Sequence, residues 1–221
     1  MRRSFFITAV WILAFSGCVH AATQLETCES NPRLQSEKSA ELLKIVKEDQ
    51  ADRSGPYVAI DWNKVNPRDL RRRVEVARIF AEACFKSAAD YASAALIFQH
   101  GNTADHYYQA FLWANEAVKL GDKLQTYQAA NGLDRYLVAT GHKQLFGTQF
   151  SSHDLKTGEF CLQPVEPSFP ESRRSVYIKM SREDYNAFVL KTTGSTQSPR
   201  ELKTCDTALK ASPQGTVPGF W

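Results

Sequence analysis

The chain has 221 residues, 43% of them hydrophobic and 23% charged, with a formal net charge of +3. A balance of 27 basic against 24 acidic residues leaves no basic field of the kind that binds nucleic acid or anionic lipid. This length suits one ordinary hydrophobic core, and a single domain is expected.

The N-terminus opens Met1-Arg2-Arg3, runs apolar over residues 5–15, and reaches the small-residue series Val19-His20-Ala21-Ala22. A charged start, an apolar middle and a small exit are the parts of a secretory signal, here residues 1–21 with cleavage after Ala21. The apolar run is about half of the roughly 20 residues a bilayer-spanning helix needs, so no transmembrane segment is expected after signal removal. Phe15-Ser16-Gly17-Cys18 offers a second route: it resembles a lipobox with Phe in place of Leu, which would leave a lipoprotein anchored at Cys18. Both routes place the protein outside the cytoplasm, in the periplasm or beyond. Losing two of the 27 basic residues and none of the acidic ones lowers the formal charge from +3 to +1.

Cys28, Cys84, Cys161 and Cys205 follow the signal. An even count in an oxidising compartment points to disulfides, with three pairings open. The favoured one is Cys28–Cys84 with Cys161–Cys205, which ties the N-terminal segment to the helical core and tethers the tail. No cysteine has a second cysteine or a histidine at zinc-ligand spacing, and neither a metal nor a cofactor is expected.

Helix signals dominate residues 31–140. Asn31-Pro32 and Asn66-Pro67 each place a capping residue before a proline at the first helical position. Ser87-Ala88-Ala89-Asp90 reads as a capping box. Gly121 and Gly141 stand where left-handed closing residues are wanted. Helices are expected near 33–50, 67–85, 88–100, 103–120 and 123–140, with a shorter one from Ser181 to about residue 190. Glycine-containing sequence between two short β-favouring runs suits a β-hairpin near 147–164, and 174–179 reads as extended. The fold class is therefore mainly α, a compact domain over 22–191 of about five core helices. An irregular Ser/Thr/Pro-rich tail fills 192–221.

The stretch from residue 88 to 98 is apolar nearly all round, which marks the central helix. Its neighbours carry one-sided stripes: Leu70, Val74, Ala77, Ala81 and Cys84 before it, Tyr107, Ala110, Phe111, Ala114, Ala117 and Val118 after it. Placing residues 100° apart isolates two charges on apolar arcs. Asp134 lies among Leu124, Tyr127, Ala130, Leu133, Leu137 and Val138. Arg73 lies among Leu70, Ala77, Phe80, Ala81 and Cys84. Buried charges need partners, and an Arg73–Asp134 pair is the simplest expectation. His100 ends the central helix, where it can turn toward a cleft. His106 and His142 read as surface or loop residues, and Ser152-His153-Asp154 is not a triad, since a triad is assembled in space. G-x-S-x-G, H-E-x-x-H, P-loop and dinucleotide motifs are all absent.

Between residues 90 and 150 the series Gln99-His100, Asp134-Arg135 and Gly147-Thr148-Gln149 resembles a family of uncharacterised bacterial proteins, a domain of unknown function, with these elements in this order. The resemblance covers about a quarter of the chain. It implies that Gln99, His100, Asp134, Arg135, Gln144, Thr148 and Gln149 belong together in space, and it implies no activity. Residues 88–121 are similar to one unit of a Sel1-like or tetratricopeptide repeat, without a second copy. Two functions follow. The first is a periplasmic binding or interaction module on a helical scaffold, whose partner is a small molecule or a protein. The second is a hydrolase-like enzyme with His100 as general base and Asp134 orienting it, while Arg135 and Gln149 hold an anionic or amide group. A third view makes the same residues a hydrogen-bonded lattice that pins the 141–150 loop. Whether the protein is an enzyme is left open by the residues alone.

Overall fold

The structure, a computed structural model, describes residues 26–55, 59–154, 159–193, 195, 197–199 and 202–221. Residues 1–21, read from the sequence as a signal, and residues 155–158 lie outside the described residues, as does Cys18. The architecture is mainly α. In chain order it runs α1 (Leu34–Asp52), α2 (Trp62–Ala81), α3 (Ala88–Gln99), α4 (Ala104–Lys119), a 3-10 turn (Lys123–Gln125) and α5 (Thr126–Ala139). Next come β1 (Phe150–Asp154), β2 (Glu159–Leu162), α6 (Glu171–Ile178), α7 (Arg182–Thr192) and β3 (Lys203–Thr204). Among the described residues no helix is long and apolar enough to cross a membrane.

Local chemistry starts and stops these helices. Ser87 Oγ accepts from Asp90 N while Asp90 Oδ2 accepts from Ser87 N, the reciprocal capping box that the sequence predicts. Thr103 and Ser181 cap α4 and α7 from one side only, each accepting from a backbone N–H of the first turn. Gly121 and Gly141 close α4 and α5 with φ of 111° and 79°, a conformation that costs glycine nothing.

The central helix α3 buries Ala94, Ala95 and Ile97 and packs against α1, α2 and α4. Helices α4 and α5 pack closely at Gly132, where an added Cβ would lie 2.9 Å from the backbone N of Phe111. Both favoured disulfides are present, Cys28–Cys84 and Cys161–Cys205. The hairpin is antiparallel, pairing Phe150 with Leu162 and Ser151 with Cys161, with a bulge between Ser152 and Asp154. Strand β3 adds to β2 in parallel, which sets Cys205 beside Cys161.

Three elements depart from expectation. Helix α2 begins five residues before Pro67, with Lys64 N and Val65 N donating to Asp61 O. Its face is also turned: Leu70 and Val74 are 56% and 62% exposed, while Asp69, Arg72, Arg73, Val76 and Ile79 are buried. The reason is electrostatic. The end of α1 presents Asp49 and Asp52, and Arg72 bonds Asp52 while Arg53 bonds Asp69, so the charged side of α2 turns inward to meet them. Residues 171–178, read as partly extended, form α6, where Arg174 is buried against Glu171 and donates to Met180 O. The C-terminal segment is held by more than its disulfide. Val217 is buried in the core, Glu166 accepts from Ser212 N at 2.7 Å, and Trp221 Nε1 donates to Ser212 O. The Arg173 guanidinium lies over Phe169, Phe220 and Trp221.

Candidate functional site

The site grows from the C-terminal end of α3. A helix leaves its last carbonyls without partners, and here side chains from three other elements take them. Arg135 Nη1 on α5 donates to Gln99 O at 2.8 Å. Arg73 Nη1 on α2 donates to His100 O at 3.0 Å, and Tyr107 Oη on α4 donates to Gly101 O at 3.0 Å. The two arginines place cations at the negative end of the helix dipole. Gly101 permits the turn because a Cβ there would collide with the ring of His106. His106 itself is half-buried, edge-on to Phe98, and burial followed by the charge of Arg73 pulls its pKa down.

That frame aims the His100 ring at the end of α1. His100 Nδ1 lies 3.0 and 2.9 Å from Asp49 Oδ1 and Oδ2. Asp49 is 1% exposed and also accepts from Arg53 Nη1 at 2.8 Å and from Gln50 Nε2 at 2.8 Å. Burial works to raise its pKa, but the His100 hydrogen bond, the His100 charge and Arg53 together bring it below the ordinary aspartate value. In the neutral state of His100, an ionised Asp49 holds the ring proton on Nδ1, which leaves the lone pair on Nε2.

His100, whose side chain is 19% exposed, lines a cleft of about 440 Å³. Arg53, Trp62, Asp69, Arg135 and Thr192 supply much of the remaining wall. The Arg53 guanidinium lies 6.0 Å from the Trp62 ring and bonds Asp69 Oδ2 at 2.5 Å, which orders that side of the cleft. The hydroxyls at the α7 end point elsewhere: Thr192 Oγ1 donates to Phe188 O and Thr193 Oγ1 to Val189 O. Among the described residues no cluster of three metal-ligating side chains occurs.

The Asp134 group is a different construction. Asp134 is wholly buried and accepts from Leu145 N, Phe146 N, Thr148 N and Thr148 Oγ1 at 2.8 to 3.0 Å. Burial pushes its carboxyl up to about 6, against the pull of those donors. Gln144 Oε1 accepts from Gln149 N, and Gln144 Nε2 donates to Gln149 O and Gln163 O. Gln149 Nε2 bonds Asn131 Oδ1, and its Oε1 accepts from Arg135 Nε at 3.2 Å. Gln99 Oε1 accepts from Gln128 Nε2.

The sequence-derived residues thus divide. Gln99, Arg135 and Gln149 are linked through Arg135, which joins the cleft wall to the lattice of Asp134, Gln144 and Thr148. The expected Arg73–Asp134 pair does not form. Asp134 is satisfied by the backbone of the 145–148 loop, and Arg73 makes no ion pair among the described residues. The carboxylate against His100 is Asp49, not Asp134. Sequence reasoning missed Asp49, Arg53, Trp62 and Asp69. Asp49 was reachable, because it continues the stripe of Leu42 and Ile45 on α1 at helical spacing, an acid on a buried face. Comparison with family models, curated proteins and solved structures finds no match to the chain.

Proposed function

We propose that the protein is an exported binding module whose cleft takes a small polar molecule carrying an anionic group. The observation that carries this reading is the orientation of His100: Asp49 fixes Nδ1, and the ring lines the cleft with Nε2 as its remaining polar atom. Arg135 on the cleft wall, held by Gln99 O and Gln149 Oε1, supplies positive charge for an anion, and Trp62 supplies an apolar surface for the rest of the ligand. Two disulfides suit an oxidising compartment. The lattice around Asp134 holds the 144–149 loop and, through Gln149, supports Arg135.

The test is a thermal-shift screen of small carboxylates and phosphate esters on the parent and on His100→Asn. The variant is expected to melt no more than about 8 °C below the parent, because a helix-end histidine whose side chain is 19% exposed contributes at most about 1–2 kcal/mol. It is also expected to lose the response to any ligand that stabilises the parent. A variant that melts lower yet keeps that response would show that His100 serves the fold alone.

A further inference from the structure

The pairing of Asp49 with His100 has a chemical use that binding alone does not need. We infer that this pair activates a water molecule, and that the cleft hydrolyses a small carboxylic ester bearing an anionic group; the inference rests on the cleft's binding such a ligand. Asp49 is buried and ionised, with both oxygens within 3.0 Å of Nδ1. The imidazolium formed when Nε2 takes a proton is therefore stabilised by a carboxylate already in place. Charges face the ring from several sides: Asp49 and Arg53 on α1, Asp69 and Arg73 on α2, and Arg135 on α5.

Water, not a side chain, is the nucleophile. The described residues lining the cleft include no serine or cysteine, and both threonine hydroxyls donate to carbonyls of their own helix. In the first step His100 Nε2 takes a proton from water as the water oxygen bonds to the ester carbon, and the carbonyl electron pair moves onto its oxygen. That oxyanion develops in the positive potential of Arg135. In the second step the electron pair returns, the bond to the alkoxy oxygen breaks, and the leaving oxygen takes the proton from Nε2. The products are a carboxylic acid and an alcohol, and nothing is oxidised or reduced. His100 is the catalytic residue and Asp49 positions it.

The experiment uses the full mature chain with 3-carboxyphenyl acetate as the anionic ester and phenyl acetate as its neutral counterpart, following release of the phenol. The parent is expected to turn over the anionic ester in preference to the neutral one and to slow in D2O, as proton abstraction from water requires. His100→Gln is expected to lower kcat by about 100-fold or more. Asp49→Asn is expected to lower kcat and displace the pH profile, a change that loss of packing alone would not produce. If Asp49→Asn does not fold, His100→Gln decides. No turnover of an ester that binds the parent in a thermal shift would overturn the hydrolytic inference and leave the binding reading standing. Neither binding nor turnover would overturn both for this substrate class. Undiminished turnover in His100→Gln would also overturn the inference.

Discussion

Thr148 donates to Asp134 twice, once from its N–H and once from its hydroxyl, each at 2.9 Å. With Leu145 N and Phe146 N also directed at the same carboxyl, one side chain on α5 organises an entire loop. Asp134→Ala strands three backbone N–H groups in a buried site. At pH 5 it is expected to cost about 3–5 kcal/mol in urea denaturation. The folded pKa near 6 stands above the ordinary aspartate value of 3.8, so the folded chain holds this proton more tightly than the unfolded one. The contribution is therefore fully present below about pH 4 and lost as pH rises through 6, by about 3 kcal/mol in all. The penalty of Asp134→Ala should accordingly shrink between pH 5 and pH 7.5. A penalty that stays flat across this range would contradict the raised pKa.

Gly132 faces the backbone of α4, with room for no Cβ. Gly132→Ala gains about 1 kcal/mol in intrinsic helix propensity. It must also push two packed helices apart, because the atom it meets is a main-chain nitrogen. We expect the strain to win and the variant to lose about 1–2 kcal/mol net. A variant more stable than the parent would show that α4 and α5 separate freely.

Arg73 is buried, with a hydrogen bond to His100 O and a buried Nε that has no partner among the described residues. Burial, the largest influence on it, pulls its pKa down. Replacing such a group with an apolar one of similar length relieves its desolvation and removes one capping bond. Arg73→Met is therefore expected to change stability by no more than about 1 kcal/mol. It should not rescue Asp134→Ala, since the two residues are not partners. A loss above 3 kcal/mol would give Arg73 a stabilising contact that the present geometry lacks.

The Cys28–Cys84 link closes a loop across a separation of 56 residues. By the chain-entropy account its removal in a Cys28→Ala, Cys84→Ala protein should cost about 4 kcal/mol. The midpoint of urea unfolding reads this directly. An unchanged midpoint would mean that Cys28 N, bonded to Glu82 O, and its neighbours already hold the segment.

The helical scaffold was legible because its signals are local. Ser87 with Asp90, the closing Gly121 and Gly141, and the apolar run of α3 all act within a few residues. The burial of Asp134 was legible too, as a charge on an apolar arc. Its partner was not, because the donors are main-chain N–H groups that every residue carries and no side-chain pattern announces. Helix α2 misled for a related reason. Leu70 and Val74 draw a clear stripe, but the helix is oriented by the acids of α1, and hydrophobic period alone does not record ion pairs between helices. The tail's packing through Val217 and Trp221 was hidden by a composition that reads as irregular. The site itself was half legible: His100 stood out, while Asp49 was an acid in a helix rich in acids until its place on the buried stripe is drawn.

The two disulfides join Cys28 to Cys84 and Cys161 to Cys205, so among these four each cysteine bonds its neighbour in sequence and neither link spans the other. A polypeptide delivered N-terminus first into an oxidising compartment exposes these thiols in the same order. An oxidant that simply joins each newly arrived pair then makes the native bonds at the first attempt. Thiol exchange between wrong pairings is slow, from seconds to hours. In such a compartment this sequential connectivity calls for a donor of disulfides and for no reshuffling of wrong pairs.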